Sequence, residues 1–252
     1  MMKGFMIDLD GTIWRGNNLL PGAVDAINYL RSKGKVIFCT NASSNTPQIV
    51  LEKINRLGIR ATKNDLLTTY VVVLDFLKKQ NKKCYFVSTS HIKNMFSNDG
   101  IVIDAKGAKI VVIGFNEKSN YNDYDTAFRL LLDGAKLIVM NNALTYPYSD
   151  GTHIGPGFFV NGLEKLTGKK SLTIGKPSKY YFIAAMKMLG TDKKYTYMIG
   201  DDLTMDIKGA NEFGINSILV ESGTHSKKDV NLENVKPDYI LKSIKDISSI
   251  IK

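Results

Sequence analysis

Cysteine is nearly absent from this sequence. Cys39 and Cys84 are the only 2 cysteines among 252 residues, and both sit inside apolar runs, VIFCTN and KCYFVS. Thiols placed this way form neither a disulfide scaffold nor a thiolate metal site, and they fit a reducing cytoplasm. Histidine is almost as scarce. His91, His153 and His225 lie far apart in the chain, so no His/Cys cluster offers a zinc site. No stretch approaches the roughly 20 apolar residues that span a bilayer, and Asp8 and Asp10 fall where the apolar core of a secretory signal would lie. A soluble, cytoplasmic protein without a membrane partner is expected. Acidic residues are in deficit, 24 against 34 Lys and Arg, for a formal charge of +10. Such a surface attracts anions, phosphate esters and nucleic acids among them. Its densest groups, Lys78-Lys79 with Lys82-Lys83 and Lys227-Lys228, lack the arginine-rich or aromatic-interleaved pattern of nucleic-acid readers, so no nucleic-acid partner is expected.

What the chain does have is alternation. Phe5–Asp8 reads as a short buried strand, and Gly22–Lys33 as a helix with Val24, Ile27 and Leu30 on one face. Val36–Thr40 reads as a second strand and Thr46–Leu57 as a second helix. Nearly continuous apolar strands separated by amphipathic helices are the signature of a parallel sheet covered by helices. The theme returns with strands at Leu172–Ile174, Tyr197–Ile199, Ile215–Val220 and Tyr239–Leu241. Helices are expected at Ser178–Leu189, Asp206–Phe213 and Ile244–Ile251. Between these halves lies a second alternating set, with strands at Cys84–Val87, Lys109–Gly114 and Leu137–Met140. Its helices read as Tyr70–Lys79, Asp123–Leu132 and Phe158–Thr167. The expected architecture is α/β: a Rossmann-like parallel-sheet core from residues 1–68 and 172–252, with an α/β cap of residues 69–171 inserted into it.

Polar residues recur where strands end. Asp8 closes the first strand and is followed by Asp10 and Gly11; TNASSN (Thr40–Asn45) follows the second strand. GKPS (Gly175–Ser178) follows the Leu172–Ile174 strand, and GDDLTMD (Gly200–Asp206) follows Tyr197–Ile199. Taken singly, each has an ordinary reading as a turn, a helix cap or a dipole-favoured charge. Four such loops at four strand ends place them together on the rim where open parallel sheets bind ligands.

Gathering Asp8, Asp10 and Asp201 in one cleft calls for a compensating cation, since two carboxylates about 4 Å apart repel by roughly 4 kcal/mol at an effective dielectric near 20. An all-oxygen site suits Mg²⁺, completed by a substrate phosphate. A carboxylate can attack phosphorus to form an aspartyl-phosphate, which assigns Asp8 as nucleophile. Asp10 is placed to protonate the leaving alkoxide and then to activate water. Gly11 allows close backbone approach to the phosphate, and Thr40, Asn41 and Lys176 can hold the transferring group.

DLDGT, TN followed by small polar residues, GKPS and GDDLTMD match, in order, the four motifs of the haloacid dehalogenase (HAD) superfamily. In DLDGTIWRGNNLLPGA, TNASSN, GKPSKYYF and GDDLTMDIKGANEFGINSILVESG the chain resembles more narrowly the NagD-like, p-nitrophenylphosphatase-like group. The resemblance implies a Mg²⁺-dependent phosphatase acting on a small phosphorylated metabolite. It implies metal ligation by Asp8, by the backbone carbonyl of Asp10 and by Asp201, with Asp206 supporting the metal waters or Lys176. It also suggests the homodimer that some relatives form through the cap. Two departures stand out. In MNNALTYP the chain has Asn142-Ala143 where relatives often carry Pro-Asp, a loss that either changes substrate choice or leaves the cap contact to Asn141, Asn142 or Tyr146. Ala42 stands where a second asparagine is common. A phosphotransferase, or a phospho-accepting signalling domain, is the alternative on the same scaffold. Asp10 and the long insertion favour turnover over storage of the phosphoryl group.

Overall fold

A computed structural model describes residues 2–148 and 151–252, with side chains left aside at 146–148, 151 and 152. The chain divides into two compact units, one of residues 1–40, 47–67 and 176–252 and the other of residues 41–46 and 68–175.

The first unit is built on a six-stranded sheet in the order Tyr239–Leu241, Asn216–Val220, Thr196–Gly200, Lys3–Asp8, Gly34–Thr40, Leu66–Thr68. The Lys3–Asp8 strand pairs in parallel with both of its neighbours. Strand order reverses at this point: the chain leaves Lys3–Asp8 toward Gly34–Thr40 on one side and returns as Thr196–Gly200 on the other. Connections that diverge from adjacent strands open a crevice beyond their carboxyl ends, and Asp8 lies there. These strands are buried on both faces, which explains their unbroken apolar runs. Phe5 and Ile7 lie beside Val36 and Phe38 in register. With Ile199 and Ile218 they pack against Ala23, Ile27 and Leu30 of the Ala23–Lys33 helix. Each such Phe or Ile contributes about 1.5–3 kcal/mol by leaving water.

The second unit has a four-stranded parallel sheet in the order Leu172–Thr173, Lys136–Val139, Ile110–Ile113, Cys84–Val87. Its helices are Thr69–Gln80, Ser90–Asn98, Tyr121–Leu132 and Pro156–Thr167. The Tyr121–Leu132 helix starts at a reciprocal cap. Asn120 Oδ1 accepts from the backbone N–H groups of Asn122 (2.9 Å) and Asp123 (3.3 Å), while Asp123 Oδ2 accepts from Asn120 N–H at 3.0 Å. Val111, Ile113, Val139, Ala127, Leu131 and Val160 form its core.

Several elements depart from the sequence reading, among them the core strand Leu66–Thr68, which it lacked, and three others. Leu172–Thr173, expected in the core sheet, pairs instead with Ile138 and Val139 of the second unit, and the first unit resumes only at Lys176. A short apolar run fits the edge of either sheet equally well, and periodicity carries no information on which sheet recruits it. The Ser90–Asn98 helix was unread because it buries only Ile92 and Phe96. The closing segment Ile244–Ser249 is a 3₁₀ helix rather than an α-helix, as suits a run of isoleucines and serines with weak α propensity. Among the described residues, no helix is long and apolar enough to cross a membrane.

Candidate active site

Four side chains from three separate stretches converge in the interior of the first unit. Lys176 is 2 % exposed. Its Nζ donates to Asp8 Oδ1 and to Asp206 Oδ1, both at 2.6 Å, and lies 3.4 Å from the carbonyl of Cys39. Asp8, Asp201 and Asp206 are all buried, and each offers a carboxylate oxygen within 4.8 Å of the others'. The hydroxyl of Thr12 lies 3.5 Å from Asp8 Oδ2 and 3.3 Å from Asp201 Oδ1, one proton between two carboxylates. Asp201 Oδ2 also accepts from Thr224 N–H at 2.6 Å.

The local chain is shaped around these acids. Asp202 caps the turn that follows the Thr196–Gly200 strand, its Oδ1 accepting from Thr204 N–H (2.8 Å) and Met205 N–H (3.1 Å). The turn is wider than an α-turn, with Ile207 N–H donating to Asp202 C=O at 3.1 Å. It carries Asp206 back to Lys176. Two glycines make room for Asp201. A Cβ on Gly11 would lie 2.3 Å from Asp201 Oδ2, and one on Gly223 would lie 1.9 Å from it. Gly11 is also at φ +82°, a conformation side chains disfavour. A Cβ on Gly200 would lie 2.2 Å from Asp206 Oδ2.

Three carboxylates around one ammonium leave an excess of negative charge. Burial raises Asp8 well above the usual carboxylate range; Lys176 opposes this, while Asp206 and Asp201 add to it. Burial likewise pushes Asp206 up to about 6, against the pull of Lys176, and it raises Asp201. Burial alone would lower Lys176, but Asp206 and Asp8 outweigh it and its pKa is raised. The lysine therefore keeps its proton. Hard oxygen donors, buried and over-charged, fit a divalent cation of the magnesium type. Burial pushes the neighbouring Cys39 thiol up to about 12, which leaves it an inert packing residue.

The trio differs from the sequence reading in having Asp206 where Asp10 was expected. Asp10 is exposed, and its carboxylate, expected to act as acid and base, is turned to the indole of Trp14 at 2.6 Å; only its backbone carbonyl was expected at the metal. Thr40 is buried at the end of the Gly34–Thr40 strand, its carbonyl accepting from Tyr181 Oη at 3.2 Å. Asn41 belongs to the second unit, where its Oδ1 accepts from Thr69 Oγ1 at 3.2 Å. In that unit Asn141 Oδ1 caps Ala143 N–H at 3.0 Å. The buried Asn142 Oδ1 has no partner among the described residues. The side chain of Tyr146 lies outside the described residues. Thr12, Gly200, Gly223 and Thr224 were missed as site residues. The signal for Gly223 and Thr224 was present, since VESGT follows the carboxyl end of the Asn216–Val220 strand.

The sequence matches the family described as haloacid dehalogenase-like hydrolase over residues 5–102 and the HAD-hydrolase-like family over residues 173–247. It is 32% identical over 238 residues to haloacid dehalogenase-like hydrolase domain-containing protein 2 of Bos taurus, covering 94% of this chain and 90% of the relative. Its fold superimposes on that of a p-nitrophenyl phosphatase from Archaeoglobus fulgidus with a TM-score of 0.92 at 27% identity, over 98% of each chain. A glycerol phosphate phosphatase from Mycobacterium tuberculosis, solved in complex with magnesium, matches with a TM-score of 0.89 at 26% identity, over 99% of this chain and 78% of that one.

Proposed function

Because the chain belongs to the haloacid dehalogenase-like hydrolase family, with p-nitrophenyl phosphatases among its structural neighbours, we propose that it is a Mg²⁺-dependent phosphatase of small phosphate monoesters working through an aspartyl-phosphate. The observation that carries this reading is Asp8. It stands at the strand-order reversal, bonded to a buried lysine at 2.6 Å and flanked by buried Asp201 and Asp206.

In the first half-reaction a carboxylate oxygen of Asp8 attacks phosphorus. The bond to the ester oxygen breaks, and Asp10 gives the leaving alkoxide its proton. In the second, ionised Asp10 takes a proton from water, which attacks the aspartyl-phosphate. Phosphate leaves and Asp8 is restored. Lys176 stays protonated throughout, holding Asp8 in place and offsetting charge on the transferring oxygens. Thr40 binds those oxygens, and the glycine at 11 lets the backbone approach them. Asp8, Asp201 and Asp206, with the backbone carbonyl of Asp10, are the groups that would hold the magnesium ion; bound there, it neutralises the cluster and the phosphate.

The relatives' names, together with the basic surface, point to a small phosphorylated metabolite as substrate. The test is phosphate release from a panel of nucleotide, sugar and polyol monophosphates, with Mg²⁺ or EDTA, for wild type and Asp8→Asn. Turnover that needs both Mg²⁺ and Asp8 supports the reading. A wild type that releases no phosphate from any ester, or an Asp8→Asn variant as active as wild type, overturns it.

A further inference from the structure

The loop after the first strand folds back on itself. Gly11 N–H donates to Trp14 C=O at 2.7 Å, while Ile13 N–H and Trp14 N–H donate to Leu9 C=O at 2.8 and 3.2 Å. Trp14 then enters a small hairpin, Trp14–Arg15 against Asn18–Leu19. This closure returns the chain to Asp10, and Trp14 Nε1–H donates to Asp10 Oδ1 at 2.6 Å. Asp10 Oδ2 accepts no hydrogen bond among the described residues. The two partners differ sharply in freedom: Asp10 is exposed, while Trp14 is 2 % exposed and packed into the main core. A third group completes the array. Lys53 Nζ, from the Pro47–Arg56 helix, stands 4.3 Å from the centre of the Trp14 ring, within the range of a cation–π contact. The ammonium also feels Asp10, whose charge works against the lowering of its pKa by burial.

An exposed aspartate alone would sample several rotamers. A buried indole gripping one oxygen fixes the carboxylate and leaves the other oxygen available. Resting on the phosphatase reading above, we infer that Trp14 is a positioning residue for Asp10, its indole N–H holding Oδ1 so that Oδ2 is presented for proton exchange, with Lys53 bracing the indole from its face. Its polar edge meets Asp10, so it acts through that carboxylate. Alignment of this kind changes the proton-transfer steps and leaves ground-state binding alone, so its loss falls on kcat.

Trp14 is the only tryptophan in the chain. Global replacement of tryptophan by benzothienylalanine, which keeps the bicyclic shape and exchanges N–H for sulfur, therefore changes this contact and no other tryptophan. The expected result is a fall in kcat of roughly tenfold with KM and melting temperature little changed. A merely structural indole predicts no change in kcat. Emission from the same residue supplies a second readout that needs no turnover: Asp10→Ala should shift the tryptophan emission maximum of the full chain. An analogue protein with wild-type kcat, or an emission unaltered by Asp10→Ala, overturns the inference. If wild type hydrolyses no ester, the phosphatase reading fails by itself, and the emission experiment still decides whether Asp10 is held by Trp14.

Discussion

Replacing Lys176 by methionine should convert the cluster from the best-tied part of the protein into its weakest. The substitution keeps most of the side chain's volume and removes the charge. In the wild type the ammonium lies 2.6 Å from both Asp8 and Asp206. Without it, the buried carboxylates of Asp8, Asp201 and Asp206 face one another with oxygens within 4.8 Å. Charges at that separation repel by about 3.5 kcal/mol per pair at an effective dielectric near 20. Breaking a buried ion pair by deleting one partner typically costs about 3–5 kcal/mol, which in a chain of this size lowers the melting temperature by roughly 6–20 °C. The deficit should depend on pH in a definite sense. Asp206 already has its pKa raised to about 6, by burial against the pull of Lys176. A carboxyl whose folded pKa exceeds its unfolded value of about 3.9 binds more protons folded than unfolded between those two values, so stability falls as pH rises through that window. Thermal or urea unfolding of Lys176→Met in EDTA should therefore show the full loss at pH 7.5 and a partial recovery near pH 5. A variant as stable as wild type at pH 7.5, or a loss that does not change with pH, would refute the electrostatic account of the cluster.

Magnesium should act on the same charge excess. At a concentration one hundred times its dissociation constant it should stabilise the wild type by about 2.7 kcal/mol, read as a rise in melting temperature that Asp201→Asn abolishes. Asp8→Asn should cut phosphate release by at least about a thousandfold. Its melting temperature in EDTA should equal or exceed that of wild type, because one of three crowded charges is gone while Asp206 still holds Lys176; circular dichroism melts check this. Gly223→Ala puts a methyl group where only 1.9 Å separates it from Asp201 Oδ2. The carboxylate must move, and the magnesium-dependent rise in melting temperature should shrink or vanish.

The central strands and their helices were legible because each carries a periodicity that one environment explains. Phe5–Asp8 and Val36–Thr40 are apolar on both faces since both faces are covered, and Ile27 and Leu30 share a helix face because that face packs on Phe5 and Ile7. Asp8, Lys176, Asp201 and Asp206 were legible for a different reason: charged residues at the ends of buried strands are expensive unless they meet. Leu172–Thr173 was assigned to the wrong sheet because sheet membership of an edge strand is decided by pairing partners, here Ile138 and Val139, and no local pattern encodes them.

What stayed hidden at the site is its negative space. Gly200 and Gly223 look like ordinary turn glycines in the sequence, yet a Cβ at either would strike Asp206 or Asp201 at 2.2 and 1.9 Å. Thr12 reads as the tail of a turn, yet its hydroxyl is within 3.5 Å of two carboxylates drawn from positions 189 residues apart on one side and 4 on the other. The same holds for Trp14, whose aromatic body answers to the core pattern while its N–H answers to Asp10. In each case the residue type satisfies a local rule, and the functional constraint comes from an atom supplied by another part of the chain. A charge can be recognised as costly wherever it stands; a missing methyl group, a hydroxyl or an indole edge acquires its meaning only from what lies across from it. Substitutions at these positions should therefore perturb the site more than their local sequence context suggests, with Gly223→Ala the sharpest case, since the conflict there is with the carboxylate itself.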